Sequence, residues 1–327
     1  MPNHSTTSPV TAVVALGGNA LLRRGEPVDA ASQVRSAVAA ARVIGRAARR
    51  WRLAITHGNG PQVGLLTLMN ESYADGEPYP LDVLDAETAG QIGYMLELQL
   101  DNFVDHQDTV AVITRVVVDE HDPAFTSPTK FIGLLYDEAT ARRLAGQRGW
   151  IVRPDGDGWR RVVPSPEPQR IVQLGAIRDL LAAGFLVVST GGGGVPVVEE
   201  ADGRQRGVEA VVDKDLASAL LATELSADLV VFATDVDAVY TGFGTQRQRA
   251  ITKATPAGLR QLELAAGSMA PKVEAACRFV ERRGGRAAIG SLAQLPHLLD
   301  GTSGTQVRAE GRDLQLARRP VPVGERS

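Results

Sequence analysis

Lys130, Lys214, Lys253 and Lys272 are the four lysines of this 327-residue chain, and every other residue among its 35 Lys+Arg is arginine. A chain that writes nearly all its positive charge as arginine has a use for lysine where it keeps one. An ammonium is a compact point charge with rotatable donors, whereas a guanidinium is a planar fork. Three of the four sit beside Pro, Gly or Asp in segments that read as loops: Pro128-Thr129-Lys130-Phe131, Asp213-Lys214-Asp215 and Pro271-Lys272. A phosphoryl group in transfer spreads charge over its oxygens and suits compact cations placed around it. Lys253 lies in an ordinary polar stretch and reads as a solvated surface charge. Random retention of lysine in an arginine-biased composition is the competing explanation for the other three.

Small-residue loops follow several apolar runs: Gly17-Gly18-Asn19, Gly58-Asn59-Gly60, Gly191 to Gly194, and Gly290-Ser291. In open α/β sheets ligands bind beyond the carboxyl ends of the strands. Glycine there lets backbone N–H groups approach an anion, and a following helix N-terminus adds partial positive charge. One such loop could be a plain turn; several after successive strands point to a phosphate site.

What is missing narrows the chemistry. The chain has no Gly-x-x-x-x-Gly-Lys-Ser/Thr, which excludes a P-loop NTPase, and no Gly-x-Gly-x-x-Gly after its first strand, which argues against a dinucleotide-binding dehydrogenase. His57 could be a general base, but Gly58 and Asn59 favour a loop-stabilising or substrate hydrogen-bonding role. No His, Cys or carboxylate set has metal-ligand spacing. Asp213 and Asp215 flank Lys214; Asp215 is a candidate cap for the following helix, and the pair could also hold the lysine. The lone cysteine, Cys277, sits among Ala275, Ala276, Phe279 and Val280 and reads as a buried helix residue.

The elements that must position these groups alternate, short apolar strands with helical stretches. Strands are expected over Val10–Leu16, Leu53–Thr56, Thr109–Asp119, Phe185–Thr190, Leu229–Thr234 and Arg286–Ile289. Helices are expected from Asp29 or Ser32 to about Arg50, and over Met95–Val104, Leu174–Ala183, Ala217–Leu225 and Val273–Glu281. Between Glu120 and Pro168 the rhythm breaks. That stretch holds a short helix over Asp137–Ala145 and a hairpin over Trp150–Val163, turning at Asp155-Gly156-Asp157-Gly158. It reads as a protruding lid subdomain that carries Lys130. The fold class is therefore α/β, a three-layer α/β/α sandwich with a mostly parallel central sheet. Hydrophobic content of 44%, charged content of 22% and a net charge of −3 are ordinary for a soluble globular protein. They give no footprint for nucleic acid or an anionic membrane, and no apolar run spans a bilayer. The polar start, Met1 to Pro9, lacks a signal-peptide core, so a cytoplasmic protein is expected. The last dozen residues, with Pro320 and Pro322, read as a loose tail.

Taken in order, these loops resemble the carbamate kinases, within the wider amino acid kinase family. The resembling segments are Ala15-Leu16-Gly17-Gly18-Asn19-Ala20-Leu21, Thr56 to Gly64, Val117-Val118-Asp119, Asp122 to Phe125 and Pro128-Thr129-Lys130. Arg161 to Pro166, Gly207 to Ala217, Thr234-Asp235-Val236, Gly267-Ser268-Met269 and Pro271-Lys272-Val273 complete them. The match runs from about Val13 to about Leu292. Many amino acid kinases carry a lysine just before the first Gly-Gly; here that residue is Ala15, as in carbamate kinases, where a lid lysine matching Lys130 takes over. Local departures stand at Phe131, Ala270, Ala89 and Gln91.

The resemblance implies reversible transfer of the γ-phosphoryl of ATP to carbamate, giving carbamoyl phosphate and ADP, used to form ATP during arginine breakdown. It implies catalytic roles for Lys130, Lys214 and Lys272, oriented by Asp215. Gly17, Gly18, Asn19, Gly58, Asn59 and Gly60 would face the carbamate and the transferring phosphoryl. Asp213, Asp235, Val236, Tyr240, Met269 and Pro271 would line the nucleotide side, with Mg²⁺ bridging phosphates. It implies one amino-acid-kinase-type domain over 1–327, with an acceptor lobe over about 10–205, a nucleotide lobe over about 206–312 and a lid over about 120–168. A homodimer is the family expectation. The alternatives are a kinase of the same fold acting on another carboxylate or phosphate acceptor, and a nucleotide-binding regulator without turnover.

Overall fold

The computed structural model describes residues 10–22, 26–72, 77–264 and 269–317, apart from the side chains of Asn19 and Ala20. From the N-terminus run β1 (Thr11–Leu16), α1 (Gly18–Leu21), α2 (Ala30–Ala48), β2 (Arg52–His57), α3 (Gly60–Ser72), α4 (Leu81–Asp101), β3 (Thr109–Ala111) and β4 (Arg115–Val117). The middle holds β5 (Lys130–Tyr136), α5 (Glu138–Arg148), β6 (Ile151–Asp155), β7 (Gly158–Val163), β8 (Arg170–Ile171), α6 (Leu174–Ala182), β9 (Leu186–Val188), β10 (Val195–Glu199) and β11 (Gln205–Gly207). Then come α7 (Lys214–Glu224), β12 (Leu229–Thr234), β13 (Tyr240–Thr241), β14 (Arg249–Ala254), α8 (Pro256–Arg260) and α9 (Met269–Arg283). The series closes with β15 (Arg286–Ser291), α10 (Leu295–Asp300), β16 (Thr305–Val307) and β17 (Leu314–Leu316).

The central sheet has the order β13-β14-β16-β15-β12-β1-β2-β9-β3, with β17 added beside β14. Every pairing from β15 through β12, β1, β2 and β9 to β3 is parallel. Antiparallel pairs occur at the other end, β15 with β16 and β14 with β13 and β17. Strand β1 sends Ala12, Val14 and Leu16 to one face, where α2, α4 and α10 pack, and Val13 and Ala15 to the other, under α6, α7 and α9. Burial on both faces is why these strands read as continuous apolar runs instead of alternating ones. The expected α/β/α sandwich is the fold. Among the described residues no helix is long and apolar enough to cross a membrane.

The stretch expected as one strand from Thr109 to Asp119 is two. β3 closes the central sheet, and β4 pairs with β10 and β8 in a separate sheet of order β11-β10-β4-β8. Thr114 marks the break: its hydroxyl donates to Val112 O at 2.9 Å and accepts from Thr190 N at 3.0 Å. That side chain satisfies the backbone where the chain leaves the first sheet.

Residues 130–163 build a third, antiparallel sheet, β5-β7-β6, accompanied by α5. The hairpin falls where the sequence placed it, turning through Gly156 at φ +59°. This unit meets the body along α3. A Cβ added at Gly64 would lie 2.2 Å from Gly133 Cα, so the two backbones touch where both residues are glycine. Glu71, near the end of α3, pairs with Arg148 and accepts from Trp150 Nε1 at 3.2 Å. The sequence reading contains neither α3 nor the first half of α4. Strand β17 ends at Leu316, the first residue of the expected tail, and residues 318–327 lie outside those described.

Candidate active site

The Asp-Lys-Asp run starts α7, and its two aspartates divide the work. Asp213, not Asp215, caps the helix, accepting at Oδ1 from Asp215 N at 2.9 Å and Leu216 N at 3.3 Å. With the cap supplied one residue before the helix, Asp215 is free to turn inward. Its Oδ1 takes the ammonium of Lys214, and its Oδ2 takes Lys272 Nζ at 3.1 Å from the first turn of α9. Asp213 Oδ2 takes Lys130 Nζ at 2.6 Å from the first residue of β5. Three cations from three distant segments thus converge on two neighbouring carboxylates. None of the three lies in a loop, where the sequence placed them: Lys130 begins β5, Lys214 begins α7, and Lys272 is the fourth residue of α9.

Burial gives these pairs their strength and their cost. Asp215 and Lys272 side chains are 5% and 6% exposed. A buried ion pair gains only when geometry and hydrogen bonds repay desolvation. Burial alone would raise the Asp213 carboxyl; Lys130, Lys214 and the Leu216 amide outweigh it and hold it down at about 2. Burial pushes the Lys214 ammonium below the usual lysine range, and repulsion from Lys272 adds to this while Asp215 opposes it. Two ammoniums sharing one carboxylate leave net positive charge, the complement of a phosphoryl group.

The glycine loops lie against the same lysines. Gly17 N donates to Ala233 O at 3.0 Å and Gly58 N to Leu16 O at 3.3 Å, which ties the ends of β1, β2 and β12 together. A Cβ added at Gly58 would be 3.5 Å from Lys214 Cδ and 3.9 Å from Gly18 N. Lys214 therefore lies along the Gly58 backbone, next to the start of α1. Asn19 belongs to α1, with its side chain outside the described residues. Gly60 begins α3.

His57 is fully enclosed, and its Nδ1 donates to Gly58 O at 3.1 Å. Burial, with repulsion from Lys214 and against that hydrogen bond, lowers it to about 4. A neutral ring tied to its own loop fits the loop-stabilising role. On the nucleotide side expected from the sequence, Asp235 and Val236 follow β12, Tyr240 opens β13, and half-buried Met269 and Pro271 begin α9. Gly267 and Ser268 lie outside the described residues. Lys253 is exposed on β14, and Cys277 is buried in α9 with its thiol pushed up by burial to about 11.

A group absent from the sequence reading supports Asn59. Asn59 Nδ2 donates to Asp85 Oδ1 at 3.0 Å and to Thr88 Oγ1 at 2.9 Å, both on α4. The signal was there to find: Leu81, Asp85, Thr88 and Ile92 fall at i, i+4, i+7 and i+11, one helix stripe, and all are buried. A carboxyl in such a stripe is either paired or functional.

The family model for the amino acid kinase family matches residues 10–291. The chain belongs to that family. Among curated amino acid kinases of this kind it is similar to the carbamate kinase of Rhizobium meliloti (strain 1021), 49% identical over 306 residues covering 92% of this chain and 94% of that one. It is also 49% identical to the carbamate kinase of Escherichia coli (strain K12) over 295 residues, 90% of this chain and 98% of that one. Among solved structures it is similar to the carbamate kinase from Giardia lamblia bound to AMP-PNP, with a TM-score of 0.83 and 38% identity. That match covers 92% of this chain and 99% of the other.

Proposed function

We propose that this chain transfers a phosphoryl group reversibly between ATP and carbamate, giving carbamoyl phosphate and ADP. The observation that carries the reading is the convergence of Lys130, Lys214 and Lys272 on Asp213 and Asp215 beside Gly18 and Gly58, in a chain nearly half identical to carbamate kinases. Both reactants are anions, and the barrier is their mutual repulsion together with the need for in-line approach. Lys214 and Lys272 would bear on the oxygens of the transferring phosphoryl, with Asp215 holding both ammoniums apart at a fixed spacing. Lys130 would bring a third positive charge from the lid, taking the place of a cation that Ala15 cannot supply. Backbone N–H groups of Gly18 and Gly60 would receive acceptor oxygens, Gly17 and Gly58, whose own N–H groups bind Ala233 O and Leu16 O, would shape the two loops around the acceptor, and Asn19 and Asn59 would orient the carbamate. A carbamate oxygen attacks the γ-phosphorus directly, so no covalent enzyme intermediate is required.

The nucleotide would lie toward Asp235, Val236, Tyr240, Met269 and Pro271, with residues of about 206–312 as its lobe, about 10–205 as the acceptor lobe and about 120–168 as the lid. Asp213 caps α7 and holds Lys130, so its service to the nucleotide would be indirect. Among the described residues no cluster of three or more His, Cys, Asp or Glu side chains could hold a metal, and lysines occupy both Asp215 oxygens. That donor set fits Mg²⁺ carried in on the nucleotide phosphates, where it would neutralise their charge. A homodimer would join through α4 and the sheet edge at β3, where Tyr94, Leu98 and Ile113 are exposed. The reading takes ATP formation in arginine catabolism, in the cytoplasm, as the physiological setting. A coupled assay for ATP from ADP and carbamoyl phosphate tests it. Sustained ATP formation is expected, and nucleotide binding without turnover would establish a regulator instead.

A further inference from the structure

Helix α4 carries a carboxyl group into the acceptor side of the site that the phosphoryl-transfer reading leaves unused. Asp85 is 2% exposed. Its Oδ1 accepts one Nδ2 hydrogen of Asn59, whose other goes to Thr88, while its Oδ2 has no hydrogen-bond partner among the described residues. Asn59 cannot swing away: a Cβ added at Gly192, which sits at φ +70°, would fall 2.4 Å from Asn59 Nδ2. With both amide hydrogens taken and its carbonyl accepting from Val63 N at 2.9 Å, Asn59 has its Oδ1 and its backbone N–H left to meet a ligand beyond the Gly58-Asn59-Gly60 loop.

We propose that Asp85 is a positioning residue for the transfer reaction, acting as a neutral acid that fixes the Asn59 amide while keeping negative charge away from the acceptor anion. The proposal rests on the assignment of the Gly58 to Gly60 loop to the acceptor. No cation pairs with Asp85 among the described residues, and the charged groups that face it are acidic. Asp82 lies one turn earlier on α4, and Glu209 accepts from Leu81 N at 3.0 Å at the start of that helix. Arg161 on β7 bears on Glu209. Burial first, then Asp82 and Glu209, raise the Asp85 carboxyl well above the usual range against the pull of the Asn59 hydrogen bond. An ionised carboxylate would be both desolvated and unpaired. The proton therefore belongs on Oδ2, since Oδ1 is the acceptor for Asn59.

Two variants separate positioning from mere support. Asp85→Asn keeps an acceptor for Asn59 and cannot ionise; Asp85→Leu removes the acceptor. In ATP formation from ADP and carbamoyl phosphate, Asp85→Asn should keep kcat within about twofold at neutral pH. It should also lose the decline in activity that ionisation of Asp85 imposes on the parent at alkaline pH. Asp85→Leu should lower kcat about tenfold or more with KM for ADP unchanged. Parent-like kcat in Asp85→Leu, or a loss in Asp85→Asn as large as in Asp85→Leu, overturns the proposal. Denaturation with urea across pH gives a second readout that holds even if Asp85→Leu does not fold. A carboxyl raised in the folded state binds more protons there than when unfolded, so stability falls as pH climbs from the usual carboxyl value toward the raised one. Asp85→Asn should abolish that slope, and an unchanged slope would refute the neutral acid. Should the parent itself form no ATP while the slope still flattens, the fault lies with the assigned reaction and not with the protonation of Asp85.

Discussion

In the unit of residues 130–163 arginines stand over aromatic rings. Arg148 and Arg161 stand 5.1 and 5.0 Å from the Trp150 ring centre, and Arg142 stands 4.9 Å from that of Trp159. Glu71 of the body anchors this stack through Arg148 and Trp150. Around Asp213 and Asp215 the cations are lysines, each ammonium set on a carboxylate oxygen, two of them on Asp215. The two regions meet at Lys130, which starts β5 of the first and reaches Asp213 of the second. The difference teaches what each side chain is for. A planar guanidinium stacks and forks, so it suits the joint between this unit and the body, whereas a point charge can share a carboxylate with a second cation and still face a ligand.

The sharpest way to break this contrast is to empty the lysine side. Lys214→Ala should lower turnover about 10²-fold, roughly 3 kcal/mol of transition-state stabilisation. Asp215 keeps Lys272 as partner, so the circular dichroism melt should stay close to the parent's. Near-parent turnover in the purified variant would remove Lys214 from the chemistry.

Acid probes the junction between the regions. Asp213 is held at about 2, below the usual carboxylate value, so its stabilisation is full above pH ~4 and disappears as pH falls through about 2. That amounts to about 2 kcal/mol, readable as a fall in urea midpoint between those pH values. Lys130→Ala should shrink the fall, and an identical pH profile in the variant would mean that Lys130 does not hold Asp213 in solution.

On the arginine side the effect should be smaller. Arg148→Lys keeps the charge near Glu71 but loses the stacked plane over Trp150, at a cost of about 1 kcal/mol. Limited proteolysis should cut residues 130–163 faster in the variant, with turnover within about threefold of the parent. Unchanged cleavage would show that stacking does not secure this unit.

How much of this was legible in the sequence differs by region. The central strands were, because burial on both faces leaves apolar runs, and α2 was, because Asp29 caps it by accepting from Ser32 N at 2.8 Å. Helix α3 was not: Gly60-Pro61-Gln62 and Gly64 look like loop residues, and the helix is held by a close contact with Gly133 that lies 69 positions away in sequence. The lysines were visible as an oddity of composition, but no spacing rule brings positions 130, 214 and 272 to one place. Nor could local sequence decide between Asp213 and Asp215 as the cap. The one-residue difference is what releases Asp215 to hold two lysines. Asp85 was legible as a carboxyl on a buried helix stripe.

The central claim is that this chain keeps lysine where a point charge is needed, and Lys130→Arg measured beside Lys253→Arg tests it most directly. Both changes keep the charge, and both positions are lysine in an arginine-rich chain, one paired with Asp213 and one exposed on β14. Turnover in the ATP-forming direction should fall about tenfold or more for Lys130→Arg, with nucleotide still bound, and stay at the parent's value for Lys253→Arg. Equal turnover in the two variants would contradict the account, because the lysine pattern would then be an accident of composition.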